Sequence, residues 1–164
     1  MFTWKCNAIV QSQLFPIRNY MMSRLACASL ALFALSGCAI HQNVKPVARL
    51  DSKTVCISQN GNVRATFLDA YERALSNRGY EVKRLESGAS LIACPVTSTY
   101  TANWRWDMAM YMAYAEIIVY KDGKQAGKAT YDATRGGGNM GKFIGAEKKI
   151  TELVDQLFPG TAGS

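Results

Sequence analysis

Residues 108–124 read MAMYMAYAEIIVYKDGK, and this stretch decides the fold. Residues 108–120 alternate between two faces that are both apolar, which predicts a buried β-strand. Small alanines on one face would let a helix approach closely, so we expect that face to point into the core: Ala109, Tyr111, Ala113, Ala115, Ile117 and Val119. Asp122-Gly123 then predicts a tight hairpin turn, because glycine readily adopts the positive φ that such turns need. A partner strand from about Gln125 to Ala133 completes the predicted hairpin.

Three strands are predicted before this hairpin. Thr54–Ser58 is a short β-branched run, and Tyr80–Leu85 is a second short strand. Ser90–Trp106 is a long strand or strand pair whose expected core face is Ile92, Cys94, Val96, Tyr100, Ala102 and Trp104. Because Pro95 has no N–H for a ladder hydrogen bond, we expect this strand to lie at a sheet edge or to be bulged there.

Two amphipathic helices complete the predicted elements. Val63–Arg78 carries apolar residues at every fourth position and is followed by Gly79, a typical helix stop. Lys142–Phe158 has one apolar side and is followed by Pro159. The order β-α-β-β-β-β-α predicts an α+β fold, a two-layer sandwich in which two helices cover a mostly antiparallel sheet of four to five strands.

The N-terminal segment resembles a bacterial lipoprotein signal. Arg24 precedes a short apolar run, residues 25–35, and Leu35-Ser36-Gly37-Cys38 has the pattern of a lipobox. The resemblance implies that the chain is cut before Cys38, that the Cys38 thiol receives diacylglycerol, and that the new amino group is acylated with a fatty acid such as palmitate. Ala39 in the following position implies the outer membrane.

This cleavage site divides the chain into a signal peptide, a lipidated tether without any period, a globular α+β domain and a frayed tail: residues 1–37, 38–53, 54–159 and 160–164. We expect translation to start at Met21 or Met22, which gives a signal of the usual length. The apolar run is too short to span a bilayer as a helix, which needs about 20 residues. The domain is therefore expected to be held by its lipid alone and to face the periplasm.

The charge of the chain excludes few partners. The formal net charge is +7, but three basic residues, Lys5, Arg18 and Arg24, precede Cys38, so the remainder carries 16 basic and 12 acidic residues and a net charge of +4. This excess is typical of solubility charge, although it would also favour an anionic partner such as a lipid headgroup or a glycan. No basic run interleaved with aromatic residues is present, so we expect no nucleic-acid partner.

The cysteines and the single histidine limit the chemistry that the folded part of the chain can perform. Once Cys38 is lipidated, the mature chain keeps Cys56 and Cys94, which outside the cytoplasm would form a disulfide or remain two separate buried thiols. The chain's single histidine, His41, falls in the predicted tether, so the folded part offers no base for a serine or cysteine nucleophile. We therefore expect no enzymatic activity, no metal site and no cofactor.

Trp104-Arg105-Trp106 is the most unusual local stretch. Its tryptophans would either pack into the core against a helix or join an exposed aromatic and methionine patch, which marks contact with a partner, the cell wall or lipid. The residues of this candidate binding patch are Trp104, Arg105, Trp106, Met110, Met112 and Tyr114. The glycines of residues 135–139, beside Lys142, are either a bent connection or a cradle for an anion.

The mature chain resembles a family of small, uncharacterised envelope lipoproteins of Gram-negative bacteria that carries only a locus-tag name. The resemblance runs from the lipobox to Pro159 and rests on the runs ANWRWD (102–107), YMAYAE (111–116), YDA (131–133) with the glycine run, and ELVDQLFP (152–159). It implies placement in the envelope and a cysteine pair at Cys56 and Cys94, and it implies no known activity.

These observations predict a lipid-anchored, periplasm-facing lipoprotein of the outer membrane. Its expected role is that of a non-catalytic interaction module that binds an envelope protein or a cell-wall component. The alternative is a carrier or sensor of a small amphiphile, with Trp104, Trp106 and Tyr111 lining a cleft between the sheet and the helices.

Overall fold

A computed structural model describes residues 39–48 and 50–158 of the chain. The predicted signal peptide, Cys38 and the predicted tail lie outside the described residues. Within these residues, nine elements follow one another in chain order: β1 (His41–Lys45), β2 (Thr54–Ser58), α1 (Ala65–Asn77), β3 (Glu81–Leu85), β4 (Val96–Asp107), β5 (Ala109–Lys121), β6 (Lys124–Asp132), a 3-10 helix (Met140–Phe143) and α2 (Ala146–Leu157).

The strands form one six-stranded sheet in the order β1-β6-β5-β4-β2-β3. β2 runs parallel to both β3 and β4, and the other neighbours are antiparallel. Two helices that contact each other cover the sheet. The predicted α+β architecture with a mostly antiparallel sheet is therefore confirmed, with six strands in place of four to five.

The core lies between the helices and the alanine-rich face of β5. Ala113, Ala115, Ile117 and Val119 are fully buried, as the alternation predicts, whereas Ala109 is exposed near the end of the hairpin. The helices contribute fully buried side chains at helical spacing: Phe67, Tyr71 and Leu75 from α1, and Ile150, Leu153 and Leu157 from α2. Small side chains on β5 leave room for these larger ones, which is why the two layers pack closely.

The prediction of a tether over residues 38–53 is wrong for its central part. His41–Lys45 forms β1, an edge strand antiparallel to β6, and Val47 behind it is buried and donates its N–H to the Leu157 carbonyl at 2.8 Å. The run His-Gln-Asn-Val-Lys has no apolar alternation, because most of its side chains are exposed at the sheet edge. Local sequence therefore gave no strand signal, and the pairing with β6 forms the strand.

The expectation that Pro95 lies in a strand that is at a sheet edge or bulged there is also wrong, and the bulge in this region is at Asn103/Trp104. Pro95 precedes β4, and β4 lies inside the sheet between β5 and β2. Ile92, expected in the core, is 73% exposed. Because β2 is short, it pairs with β4 only at Thr97 and Ser98, and no described strand covers that edge of β4 beyond Ser98.

Cys56 and Cys94 are joined by a disulfide, the pairing expected from the resemblance and from the compartment. Their Cα atoms lie 6.2 Å apart, and the bond fixes the turn before β4 to the buried strand β2. Over the described residues, no helix combines the length and the apolar character that crossing a bilayer requires.

Candidate functional site

The β4–β5 hairpin extends past the rest of the sheet. His41, Asp132, Tyr114 and Asn103 are partners in one row across β1, β6, β5 and β4. Among the described strands, only β4 and β5 continue beyond that row, with Trp106 opposite Met110 and Asp107 opposite Ala109. We call residues 104–112 the hairpin tip.

The hairpin tip carries large apolar side chains in solvent. Trp106 is 72% exposed, Met110 opposite it is 51% exposed, and Met108 at the reversal is 87% exposed with a φ of 59°. Met140 of the neighbouring 3-10 helix is 74% exposed. An exposed cluster of this kind typically marks a surface that contacts a partner or a membrane.

A buried lysine fixes the hairpin tip to the segment before α2. The Lys142 ammonium bonds both the Asp107 carboxylate and the Gly137 carbonyl, and it lies 5.5 Å from the Tyr111 ring centroid and 5.1 Å from that of Phe143. Because Lys142 is already paired, and the 3-10 helix separates the glycines from α2, the interpretation of this loop as an anion cradle loses its support.

The predicted binding patch is only partly exposed. Arg105, Trp106 and Met110 lie in solvent and Tyr114 is half-buried, but Met112 is only 2% exposed. Trp104 is also half-buried, with its ring edge-on to Phe67 at 6.4 Å between centroids. The prediction that Met112 belongs to an exposed patch is therefore wrong. Trp104 packs against α1 and contributes only part of its surface to the patch.

A bulge in β5 explains why Met112 is buried although the alternation predicted it on the outer face. Asn103 pairs with Tyr114 but Trp104 pairs with Met112, so Ala113 is an extra residue that reverses the alternation. Met112 consequently shares a face with Trp104 and turns toward the helices. Sequence reasoning also missed Met108 and Met140, whose exposure depends on the tight reversal and on the 3-10 helix.

The row beneath the hairpin tip is polar and ordered by hydrogen bonds. Burial and a 2.8 Å hydrogen bond to Glu116 raise the pKa of Tyr114 to about 12. Burial alone would raise the pKa of Glu116, but hydrogen bonds from Lys128 and Tyr114 lower it below its ordinary value. Hydrogen bonds from Thr134 lower the pKa of Asp132. The polar groups of this row are therefore paired with one another beneath the exposed tip.

A small cleft lies between the sheet and the helices. It has a volume of about 210 Å³, and Phe67, Trp104 and Ile150 contribute its apolar wall. Its rim is charged, with Arg73 and Glu147 in an ion pair at 2.9 Å. A second depression of about 480 Å³ elsewhere has mixed walls, with polar residues such as Asn60, Arg84 and Glu86 beside the apolar Val63 and Leu68. Within residues 39–48 and 50–158, no group of three or more His, Cys, Asp or Glu side chains could hold a metal ion.

Comparisons with known proteins find only distant similarity. No family model matches the chain, and no curated protein matches it. Two solved structures of PelC dodecamers from Paraburkholderia phytofirmans, one of a point variant, align over 71% of this chain and 92% of theirs. The identities are 11% and 13% and the TM-scores 0.47 and 0.44, values too low to carry an argument about fold or function.

Proposed function

We propose that this chain is a lipid-anchored lipoprotein of the outer membrane that faces the periplasm and works as a non-catalytic interaction module. The observation that carries the proposal is the hairpin tip, where Trp106, Met108 and Met110 stand in solvent on an otherwise well-packed domain. Leaving such side chains in water forgoes roughly 1.5–3 kcal/mol of burial for each. A surface of this kind is typical of a protein that covers it with another component of the envelope.

The arrangement of charged groups agrees with a role in binding rather than in catalysis. The carboxylates of Asp69, Glu72, Asp107, Glu116, Glu147, Glu152 and Asp155 are each within ion-pair distance of a lysine or an arginine. Carboxylates that act as general acid and base need a shared substrate site, and these are spread over several surfaces of the domain. This distribution supports a scaffold more than an active site.

The alternative function, a carrier of a small amphiphile, has one observation in its favour. Trp104 lines the cleft between α1 and α2, as that hypothesis expects, but Trp106 and Tyr111 are not among its lining residues. Sites for drug-sized ligands usually measure about 300–1,000 Å³ and are mostly apolar, whereas this cleft is smaller and has a charged rim. The interaction module is therefore the better supported function.

Lipidation at Cys38 is the first test of the proposal. Mass spectrometry of the mature protein from cell envelopes should find an N-terminal peptide that begins at Cys38 and carries diacylglycerol and an acyl chain. Cys38→Ser should abolish both modifications and leave unprocessed precursor. The matched control is Cys27→Ser, which changes a cysteine inside the apolar run and should leave processing intact. A mature protein without fatty acids in the soluble fraction would overturn the proposal.

A further inference from the structure

The beginning of the described chain lies at the same end of the sheet as the hairpin tip. β1 starts at His41, in the row that contains Asn103 and Tyr114. Ile40, just before it, lies against the segment that holds Lys142: its side-chain carbons are 3.5 and 3.4 Å from where a Cβ would stand on Gly136 and Gly141. The chain therefore enters the domain beside the hairpin tip, and its position there is fixed by packing.

β1 is held firmly enough to fix this entry point. The Gln42 amide donates to Glu152 at 2.9 Å and to Gln156 at 3.1 Å on α2, and it accepts from Lys149 at 3.0 Å. Lys149 in turn bonds Glu152 at 2.6 Å. This network joins the edge strand to a core helix. The linker between a lipid on Cys38 and the folded domain is therefore about two residues long, whereas the predicted tether, residues 38–53, has sixteen.

The lengths on the two sides match. Cys38 is three residues before His41, so it can stand at most about 10 Å from the row of His41, at about 3.3–3.6 Å per residue. The hairpin tip continues for four residues of β4 past the same row, about 13 Å at about 3.3 Å per residue. A lipid carried by Cys38 would thus enter a bilayer at about the height of Trp106 and Met108.

The composition of this end of the domain suits a bilayer surface. Of the five large apolar side chains that are most exposed in the described chain, Trp106, Met108, Met110 and Met140 are here, and Ile92 alone is beside the turn at Gly123, at the far end of β5. Tryptophan favours the interface between lipid and water. Asp107 is neutralised by Lys142, whereas Arg105 and Arg135 are exposed, an arrangement that favours anionic headgroups.

We propose that the hairpin tip is a membrane-contacting surface that places Trp106, Met108 and Met110 in the headgroup region of the leaflet that anchors Cys38. This inference rests on the proposed function, because the short linker holds the hairpin tip at the membrane only if Cys38 carries the lipid. Lipid and hairpin tip then form two attachment points, which fix the orientation of the domain as well as its location.

Depth-dependent fluorescence quenching tests the inference. The mature lipidated protein, purified from membranes, is reconstituted in vesicles of phosphatidylethanolamine and phosphatidylglycerol with doxyl-labelled phosphatidylcholine. Cleavage before Cys38 removes Trp4, so Trp104→Phe leaves Trp106 as the single tryptophan, and Trp106→Phe leaves Trp104 as the matched control. We expect lipid-borne doxyl groups to quench Trp106 about twofold more than Trp104, with a blue-shifted Trp106 emission.

Each outcome separates the two proposals. Mass spectrometry of the Cys38 peptide from the same sample reports lipidation, so a lipidated protein with unquenched Trp106 overturns the membrane contact and leaves the proposed function standing. An unlipidated protein overturns the proposed function and the premise of the inference together. Unquenched Trp106 accompanied by crosslinked dimers would assign the tip to a second copy instead. If Trp104→Phe does not fold, the loss of quenching in Trp106→Phe relative to wild type gives the same result.

Discussion

Met112 and Met110 lie two residues apart on β5, but one is a core residue and the other is a surface residue. Met112 is 2% exposed beside Trp104, and Met110 is 51% exposed opposite Trp106. The same contrast separates Trp104, which packs on Phe67, from Trp106. One hairpin thus serves two purposes: the side chains of the hairpin tip nearest the last row, Trp104 and Met112, pack against the helices and stabilise the fold, and those at its end, Trp106, Met108 and Met110, are available for contact.

Removing the disulfide tests how much of the stability of the folded domain comes from the covalent bond between β2 and the turn before β4. Replacing both Cys56 and Cys94 by Ala should lower the free energy of unfolding by about 4 kcal/mol, because the bond closes a loop with a sequence separation of 38 and restricts the unfolded chain. Urea unfolding followed by circular dichroism measures the change. Wild-type protein treated with reductant should unfold at a similar midpoint, and equal midpoints with and without reductant would contradict the prediction.

Truncating the two methionines sharpens the comparison directly. Met112→Ala should lower the free energy of unfolding by roughly 2–5 kcal/mol, because it removes contacts and leaves a cavity. Met110→Ala, the matched control on the same strand, should change it by no more than about 0.5 kcal/mol. Thermal unfolding of wild type and of both variants measures the two losses of unfolding free energy. Equal losses would mean that Met110 is as buried as Met112 and would remove the distinction between the two parts of the hairpin.

Gly127 tests whether the segment that follows β1 is truly packed. A Cβ at this position would stand 2.6 Å from a Val47 methyl and 3.1 Å from a Leu157 methyl, so Gly127→Ala should cost about 1–3 kcal/mol by overpacking. Gly138→Ala is the control, because nothing lies within 4 Å of a Cβ there. Hydrogen exchange of the Val47 amide, which bonds Leu157, should also become faster in Gly127→Ala. An unchanged exchange rate would indicate that residues 41–47 are not held as described.

Acid should weaken the link between β1 and α2 by a smaller amount. The hydrogen bond from Lys149 is the main cause that lowers the pKa of Glu152 below its ordinary value of 4.5, in spite of partial burial. A carboxylate with a lowered folded pKa stabilises the protein above its unfolded pKa, and this contribution is lost as the pH falls from 4.5 through the folded value. Glu152→Gln should therefore show a shallower loss of stability below about pH 4.5 than wild type. Lys149→Met should flatten the same acid limb, and parallel acid limbs in all three proteins would contradict this assignment.

Much of the fold was predictable because its signals are local. The alternation of residues 108–120, the Asp122-Gly123 turn and the spacing of apolar residues in both helices each reflect a backbone geometry that short segments adopt on their own. The pairing of Cys56 with Cys94 was expected because they are the two cysteines that follow the predicted lipidation site. By contrast, the exposed side chains could not be separated from the core by period, since Trp104 and Trp106 share one face of β4 and Met112 and Met110 share one face of β5, although only the second of each pair is exposed.

The sequence by itself determined the α+β layers, the two helices and the hairpin that contains Met110 and Met112, because burying an apolar face requires a fixed repeat of side chains. Only the tertiary structure decided that His41–Lys45 is a strand, that β4 lies inside the sheet and that the β4–β5 hairpin extends past the neighbouring described strands. Those features depend on strand lengths, on a single extra residue in β5 and on the partner that each edge meets. Such quantities are set by contacts between distant segments, so no short stretch of the sequence contains them.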